Sequence, residues 1–324
     1  MTELRKKKVV VVGGGTGTFM VLSALREYPL ELTAIVSMAD DGGSTGILRD
    51  QYGVLPPGDV RRALVALSDA PALRELFNYR FEKGDLKGHS FGNIFLSTLE
   101  KISGNFASAV SEASRILNIK GEVLPVTFQD VRLYAELDDG KILKGETNID
   151  ISRTKFRAKI KKVWLSPAAK INSEAKEAIT RANLIVVGPG DLYTSLIPNL
   201  LVRGVPEAIK KSKANKVFVC NLMTKFGETH GFTGKDFVEE IEKYLGKNIL
   251  DFVVFNNKKP VDAILAKYKK EKAEFVEPQI IENGILTDLL APGPFIRHDH
   301  KKLAKVLTRL LWGARNRGRK NPGN

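Results

Sequence analysis

Cysteine is nearly absent. Among 324 residues there is one, Cys220, which excludes an internal disulfide framework and any multi-cysteine zinc site. Histidine is scarce too: His89, His230, His298 and His300 are too scattered to read as a zinc set. No apolar run approaches the roughly 18 residues that a membrane span needs. The valines Val9 to Val12 follow a basic stretch, as in a secretory leader. Gly13-Gly14-Gly15 ends that run, short of the about 7–15 apolar residues of a signal core. A soluble, cytoplasmic protein is expected.

Acidic residues are in deficit. Lys and Arg number 51 against 37 Asp and Glu, a net charge of +14, while 43% of the chain is apolar, enough for a real core. The excess is densest at Arg153, Lys155, Arg157, Lys159, Lys161 and Lys162, and again at Arg315, Arg317, Arg319 and Lys320. The first group alternates and would share one face of a strand. Either group could meet an anionic partner; a solvated strand face and a frayed tail are the plainer readings. No aromatic residues interleave the basic tail, and no nucleic-acid recognition motif is present.

What the chain does have is a regular alternation. Lys8 to Val12, Leu32 to Ser37, Glu122 to Val126, Asn183 to Val187, Lys216 to Cys220 and Phe252 to Phe255 read as short buried strands. Helical periodicity covers about 18–27, 59–67 with Asp59 as N-cap, 91–117 with a break near Gly104, then 173–181, 235–245, 262–270 and 301–311. Between about 128 and 165 the pattern changes to an antiparallel insert: a hairpin turning at Asp138-Asp139-Gly140, then a strand over 158–165. The expectation is an α/β fold, a doubly wound, mostly parallel Rossmann-like sheet with a small antiparallel β insert. One domain would span 1–314, with a basic, disordered tail over 315–324.

In such a sheet the parallel strands end on one edge, where ligands bind. Five loops would gather there: Gly13-Gly14-Gly15-Thr16-Gly17-Thr18; Asp40-Asp41-Gly42-Gly43-Ser44; Gly188-Pro189-Gly190-Asp191; Asn221-Leu222-Met223-Thr224; and Asn256-Asn257. Together they fit a polar ligand bearing phosphates. The first opens a helix, whose N-terminus favours anions. It is neither a full dinucleotide fingerprint, since Thr18 holds the last glycine place, nor a P-loop. Asp40 could bond ribose hydroxyls, as the acid about 20 residues after a dinucleotide loop does. With Asp41 it could instead hold a divalent metal, or Asp41 could make an Asx-turn over Gly42-Gly43. Arg61 and Arg62 would sit unfavourably in a first helical turn unless an anion or Asp59 relieves them. Gly88-His89-Ser90-Phe91-Gly92-Asn93 opens the long helix, with His89 a candidate acid-base. Arg297 could clamp a phosphate, and Asp299 could cap the last helix.

Taken together, Gly13 to Gly17, Ala39 to Ser44, Pro56-Pro57-Gly58-Asp59 with Arg61, Gly88 to Asn93, Gly188 to Ser195, Asn221 to Thr224 and Arg297-His298-Asp299 resemble the bacterial gluconeogenesis factor family. That family is a branch of the superfamily of 2-phospho-L-lactate transferase. The likeness runs from about residue 8 to 312. It implies a Rossmann-like regulator that binds a UDP-sugar, notably UDP-N-acetylglucosamine, and links carbon metabolism to wall-precursor synthesis and cell shape. By motif, the family's tyrosine and arginine contacts fall on Tyr268 and Arg297, and Asp191 stands where serine is common. The resemblance also implies an alternative, a transferase using Mg²⁺ at Asp40 and Asp41, with Asp41 the metal ligand. The catalytic candidates are then Asp40, Asp41 and His89. The expected nucleotide- or phosphate-binding set is Gly13 to Gly17, Asp40 to Ser44, Asn93, Gly188, Gly190, Asp191, Asn221, Thr224, Tyr268 and Arg297. NAD or a UDP-sugar would be the bound ligand. A protein partner in wall-precursor synthesis and a homo-oligomer are left open; no nucleic-acid partner is expected.

Overall fold

The computed structural model describes residues 6–151 and 158–313. The first half alternates as expected. Strand β1 (Lys7–Gly13) leads through a glycine turn into α1 (Gly15–Leu25) and then β2 (Leu30–Val36). Five helices follow before β3 (Glu122–Pro125): α2 (Gly43–Tyr52), α3 (Gly58–Leu67), α4 (Pro71–Asn78), α5 (Phe91–Ser103) and α6 (Phe106–Ile116). Gly104, in the left-handed region at φ 78°, terminates α5, and Asn105 caps α6 by accepting from the Ser108 amide. The expected break therefore separates two helices.

The insert comprises β4 (Arg132–Leu137), β5 (Ile142–Lys144), the short α7 (Glu146–Ile151) and β6 (Ile160–Ser166). Its strands pair antiparallel in the order β5-β4-β6. The last strand starts at Ile160, two residues later than expected. Lys161 and Lys162 both pair with Glu136, each at 2.8 Å, so that part of the basic stripe is neutralised within the insert. Arg153, Lys155 and Arg157, and the tail from Arg315 on, lie outside the described residues.

The second half runs α8 (Ser173–Arg181), β7 (Leu184–Val187), a π-helical turn (Leu192–Leu196), α9 (Ile197–Leu200), α10 (Val205–Lys211), β8 (Asn215–Val219), α11 (Gly234–Leu245), β9 (Phe252–Asn256), α12 (Asp262–Lys269), β10 (Gly284–Thr287) and α13 (His300–Gly313). All seven strands of the main sheet are parallel, in the order β10-β9-β8-β7-β1-β2-β3. Val9 to Val12 of β1 and Leu184 to Val187 of β7 are fully buried, as strands covered on both faces must be. From β1 the chain winds outward to β3, returns to β7 and winds the other way to β10. The strand order thus reverses between β1 and β7, where a crevice opens at the carboxyl ends of the strands. Leu133, Ala135, Leu143, Val163 and Leu165 of the insert join the same apolar core as the main sheet.

Candidate functional site

The crevice at the reversal point is a cleft of about 290 Å³ lined by Gly14 to Gly17, Gly190, Asp191, Asn221, Arg297 and His298, among others. Two features of the first loop make glycine necessary. Gly15 sits at φ 65°, which L side chains avoid. A Cβ on Gly17 would overlap the Pro189 carbonyl, so the β1 and β7 loops touch backbone to backbone. Larger hollows exist, including one of about 490 Å³ between Arg26 and Lys120. It lies against the amino ends of the strands, away from every glycine loop.

Beside the cleft, α3 supplies a carboxylate. Pro57 is the residue preceding the helix, and Asp59 lies inside its first turn, so the expectation of Asp59 as N-cap is corrected. The carboxylate instead reaches across to the glycine loop, where Gly15 N–H donates to Oδ1 at 2.9 Å. Burial, then the neighbouring charge of Asp40, pushes Asp59 up to about 6. Arg62 answers it at 3.3 Å. Arg61, also in this turn, is buried and held by neutral acceptors: Asn93 Oδ1 at 3.0 Å, Asn78 Oδ1 at 2.8 Å and the Phe77 carbonyl at 3.4 Å. The unfavourable pair of cations is thus relieved from two different directions.

The Asp40-Asp41 loop divides its labour. Asp40 Oδ1 accepts from Gly42 N–H at 2.8 Å, so an Asx-turn, weighed above as an alternative for Asp41, is made by Asp40. Asp41 Oδ1 accepts from the Thr147 amide at 2.9 Å and its hydroxyl at 3.0 Å, which ties α7 of the insert to the sheet edge. The same helix brings Glu146 near Asp40, Asp59 and Asp41. Burial, then these charges, holds Glu146 well above the usual carboxylate range. Gly43-Ser44 opens α2, and Ser44 Oγ lies 3.1 Å from His89 Nδ1. Asn93 donates to Thr45 Oγ1 at 3.3 Å while accepting from Arg61. Ser44, His89 and Asn93 therefore form a second cluster, which reaches α3, the helix of Asp59, through the bond of Asn93 to Arg61.

On the other flank, Asp191 is spent on Lys225 at 2.7 Å. Lys225 also pairs with Asp150 and, at 3.0 Å, with the buried Glu228. The oxygens of Asp150, Asp191 and Glu228 stand within 4.8 Å of one another, a spacing fit for a metal, but the lysine ammonium occupies the cationic place. Burial above all pushes Glu228 up to about 7. Thr224 Oγ1 accepts from Glu274 N–H at 2.9 Å, a connection that pins the segment after α12. Tyr268 Oη accepts from Ile296 N–H at 2.9 Å, so the tyrosine holds the segment that carries Arg297 to the cleft. Arg297 itself is exposed on the rim. Of the expected set, Gly14 to Gly17, Gly190, Asp191, Asn221 and Arg297 line one cleft, and Tyr268 supports it. Asp40, Asp41, Gly42, Gly43, Ser44 and Asn93 belong to the adjoining cluster.

A family model described as 2-phospho-L-lactate transferase CofD matches residues 9–287. The chain belongs to that family. It is similar to the gluconeogenesis factor of Halalkalibacterium halodurans, 44% identical over 317 residues that cover 94% of this chain and 96% of the relative. The gluconeogenesis factor of Bacillus subtilis is 41% identical over 318 residues, covering 95% and 99%. The crystal structure of a UPF0052-family protein from Bacillus halodurans shares 44% identity with a TM-score of 0.89, covering 93% of this chain and 99% of that one. The family match ends before Arg297 and His298, so the CofD-family span supplies the glycine and acidic loops while the rim comes from residues beyond it.

Sequence reasoning missed Asp59 as a contact of the glycine loop, and it missed Glu146, Lys225 and His298. Glu146 lay beyond the expected hairpin in a segment read only as antiparallel insert, and Lys225 was one lysine among many. Only the approach of separate strands brings them to the site.

Proposed function

We propose that the protein is a binding regulator of a UDP-sugar of the UDP-N-acetylglucosamine kind, reporting wall-precursor supply in the cytoplasm to a protein partner in that synthesis. The observation that carries this is the cleft: glycine-loop amides on one side and the exposed Arg297 on the other converge at the strand-order reversal. Backbone amides at a helix N-terminus and a guanidinium are the donors a diphosphate needs. Tyr268 stands behind Arg297 and keeps its segment in place. The names of the relatives agree with a role in carbon metabolism. No helix of the described residues is long and apolar enough to cross a membrane. Calorimetric titration with UDP-N-acetylglucosamine should give one site per chain, weakened about tenfold or more by Arg297→Ala. No heat at millimolar ligand would defeat the reading.

One observation favours a second reading, a Mg²⁺-dependent phospho-group transferase. Asp40, Asp59 and Glu146 crowd together beside the glycine loop, and a cation would relieve their repulsion. Mg²⁺ bound there would neutralise charge on phosphates, with Asp40 rather than Asp41 as its ligand, because Asp40 is the carboxylate that acts most strongly on both Asp59 and Glu146. Incubation of a guanylyl-activated donor with 2-phospholactate or phosphoenolpyruvate, with and without Mg²⁺, tests it. Turnover that Asp40→Asn abolishes would favour the transferase.

A further inference from the structure

His298 lines the cleft between Arg297 and the end of β8, and is only 7% exposed. Its ring bonds to the backbone of Cys220. The Cys220 N–H already donates to the Val254 carbonyl at 3.1 Å, so the ring bond goes to the Cys220 carbonyl, which can only accept. The ring nitrogen facing Cys220 must therefore carry the proton. Among the described residues Nε2 is buried with no partner, and in this tautomer it is an acceptor. Burial holds the imidazole down at about 4, so it stays neutral at physiological pH. Asn221 follows Cys220 directly, lines the same cleft, and its Oδ1 is likewise buried without a donor. Native interiors seldom leave such acceptors unmet.

The cleft therefore has two chemical sides. The amides of the glycine loop other than that of Gly15, which is spent on Asp59, and the guanidinium of Arg297 only donate, which suits phosphate oxygens. His298 Nε2 and Asn221 Oδ1 only accept, which suits hydroxyls. We infer that these two acceptors read the ribose hydroxyls of the bound nucleotide, with His298 the specificity-determining residue of the site. The inference rests on the nucleotide reading of the cleft and extends it. In a UDP-sugar the diphosphate joins the ribose at one end and the sugar at the other; the ribose is the hydroxyl-bearing group common to every nucleoside diphosphate, and phosphates on the donor side bring its hydroxyls within reach of the acceptor side. A site built to hydrogen-bond a hydroxyl rejects the analogue lacking it, because its own buried polar groups are then left unpaired.

The test compares UDP-N-acetylglucosamine with its 2′-deoxy- and 3′-deoxyuridine analogues, titrated into the wild-type protein, His298→Phe and His298→Gln. The wild-type protein should bind at least one deoxy analogue about tenfold more weakly than the parent. His298→Phe should bind the parent about tenfold more weakly and lose that discrimination, and His298→Gln, which restores an acceptor, should recover part of it. Thermal melting checks that the variants fold; the wild-type comparison decides alone if they do not. A wild-type protein that binds the parent and both analogues equally overturns the inference. So does a folded His298→Phe that binds and discriminates as the wild type does. Failure of the parent to bind the wild-type protein overturns the nucleotide reading itself, a distinct result.

Discussion

The Gly15 amide donates to Asp59 across the boundary between the glycine loop and α3. This bond joins the two halves of the candidate site, and it is made by a carboxylate that burial and Asp40 hold near 6. A carboxyl raised from about 3.8 contributes stability that is fully present below pH 4 and is lost as pH rises through 6.

Replacement of Asp59 by asparagine removes that cost while keeping an acceptor for Gly15. The stability difference between Asp59→Asn and wild type should therefore move in favour of the variant by about 2–2.5 kcal/mol between pH 4 and pH 8. Urea denaturation at the two pH values measures it, and a difference independent of pH would contradict a buried, charge-repelled Asp59.

Asn93 is one of three neutral acceptors around the buried Arg61 guanidinium. Asn93→Ala should destabilise by about 1.5–3 kcal/mol, since the lost bond is to a charged group. Asn93→Asp, which keeps an acceptor and adds a compensating charge, should cost less. The order of the two midpoints in urea is the check.

Gly17 touches the Pro189 carbonyl so closely that no Cβ fits. Gly17→Ala should cost about 1–3 kcal/mol, the usual range for overpacking, and should open the contact between the β1 and β7 loops. Denaturant midpoints give the first effect. Hydrogen exchange that quickens at residues 188–190 gives the second.

Lys225 serves as the cation for Asp150, Asp191 and Glu228. In Lys225→Met those carboxylates keep their spacing but lose the ammonium, at a cost of about 3–5 kcal/mol near neutral pH. Millimolar Mn²⁺ or Ca²⁺ should then raise the melting temperature of the variant more than that of the wild-type protein. Equal shifts would mean that the acids do not regroup around an ion.

The sheet was legible because its strands are runs of valine, isoleucine and leucine between polar turns, and the parallel order followed from the alternation with helices. The family was legible from several short motifs read together. Helix α2 was not legible: Gly42-Gly43-Ser44-Thr45-Gly46 has the composition of a turn, yet it starts a helix because Gly46 lets the Asp41 carbonyl approach its backbone. Asp40 and Asp41 are adjacent in sequence yet serve different places, because consecutive side chains diverge. One turns onto its own loop and the other reaches the insert more than a hundred residues away. His298 entered only as the middle of Arg297-His298-Asp299, a motif behind the family resemblance, with nothing to mark its own role. Its significance comes from the Cys220 carbonyl and the Val254 bond that together fix its tautomer.

The walls of the cleft come from residues 14–17, 189–191, 221–223 and 296–298. The last of these segments follows the first by about 280 positions, so the cleft closes only when the segment before α13 docks beside the loop after β1. A polypeptide broken anywhere between those two segments would hold its four walls together through packing of the sheet alone.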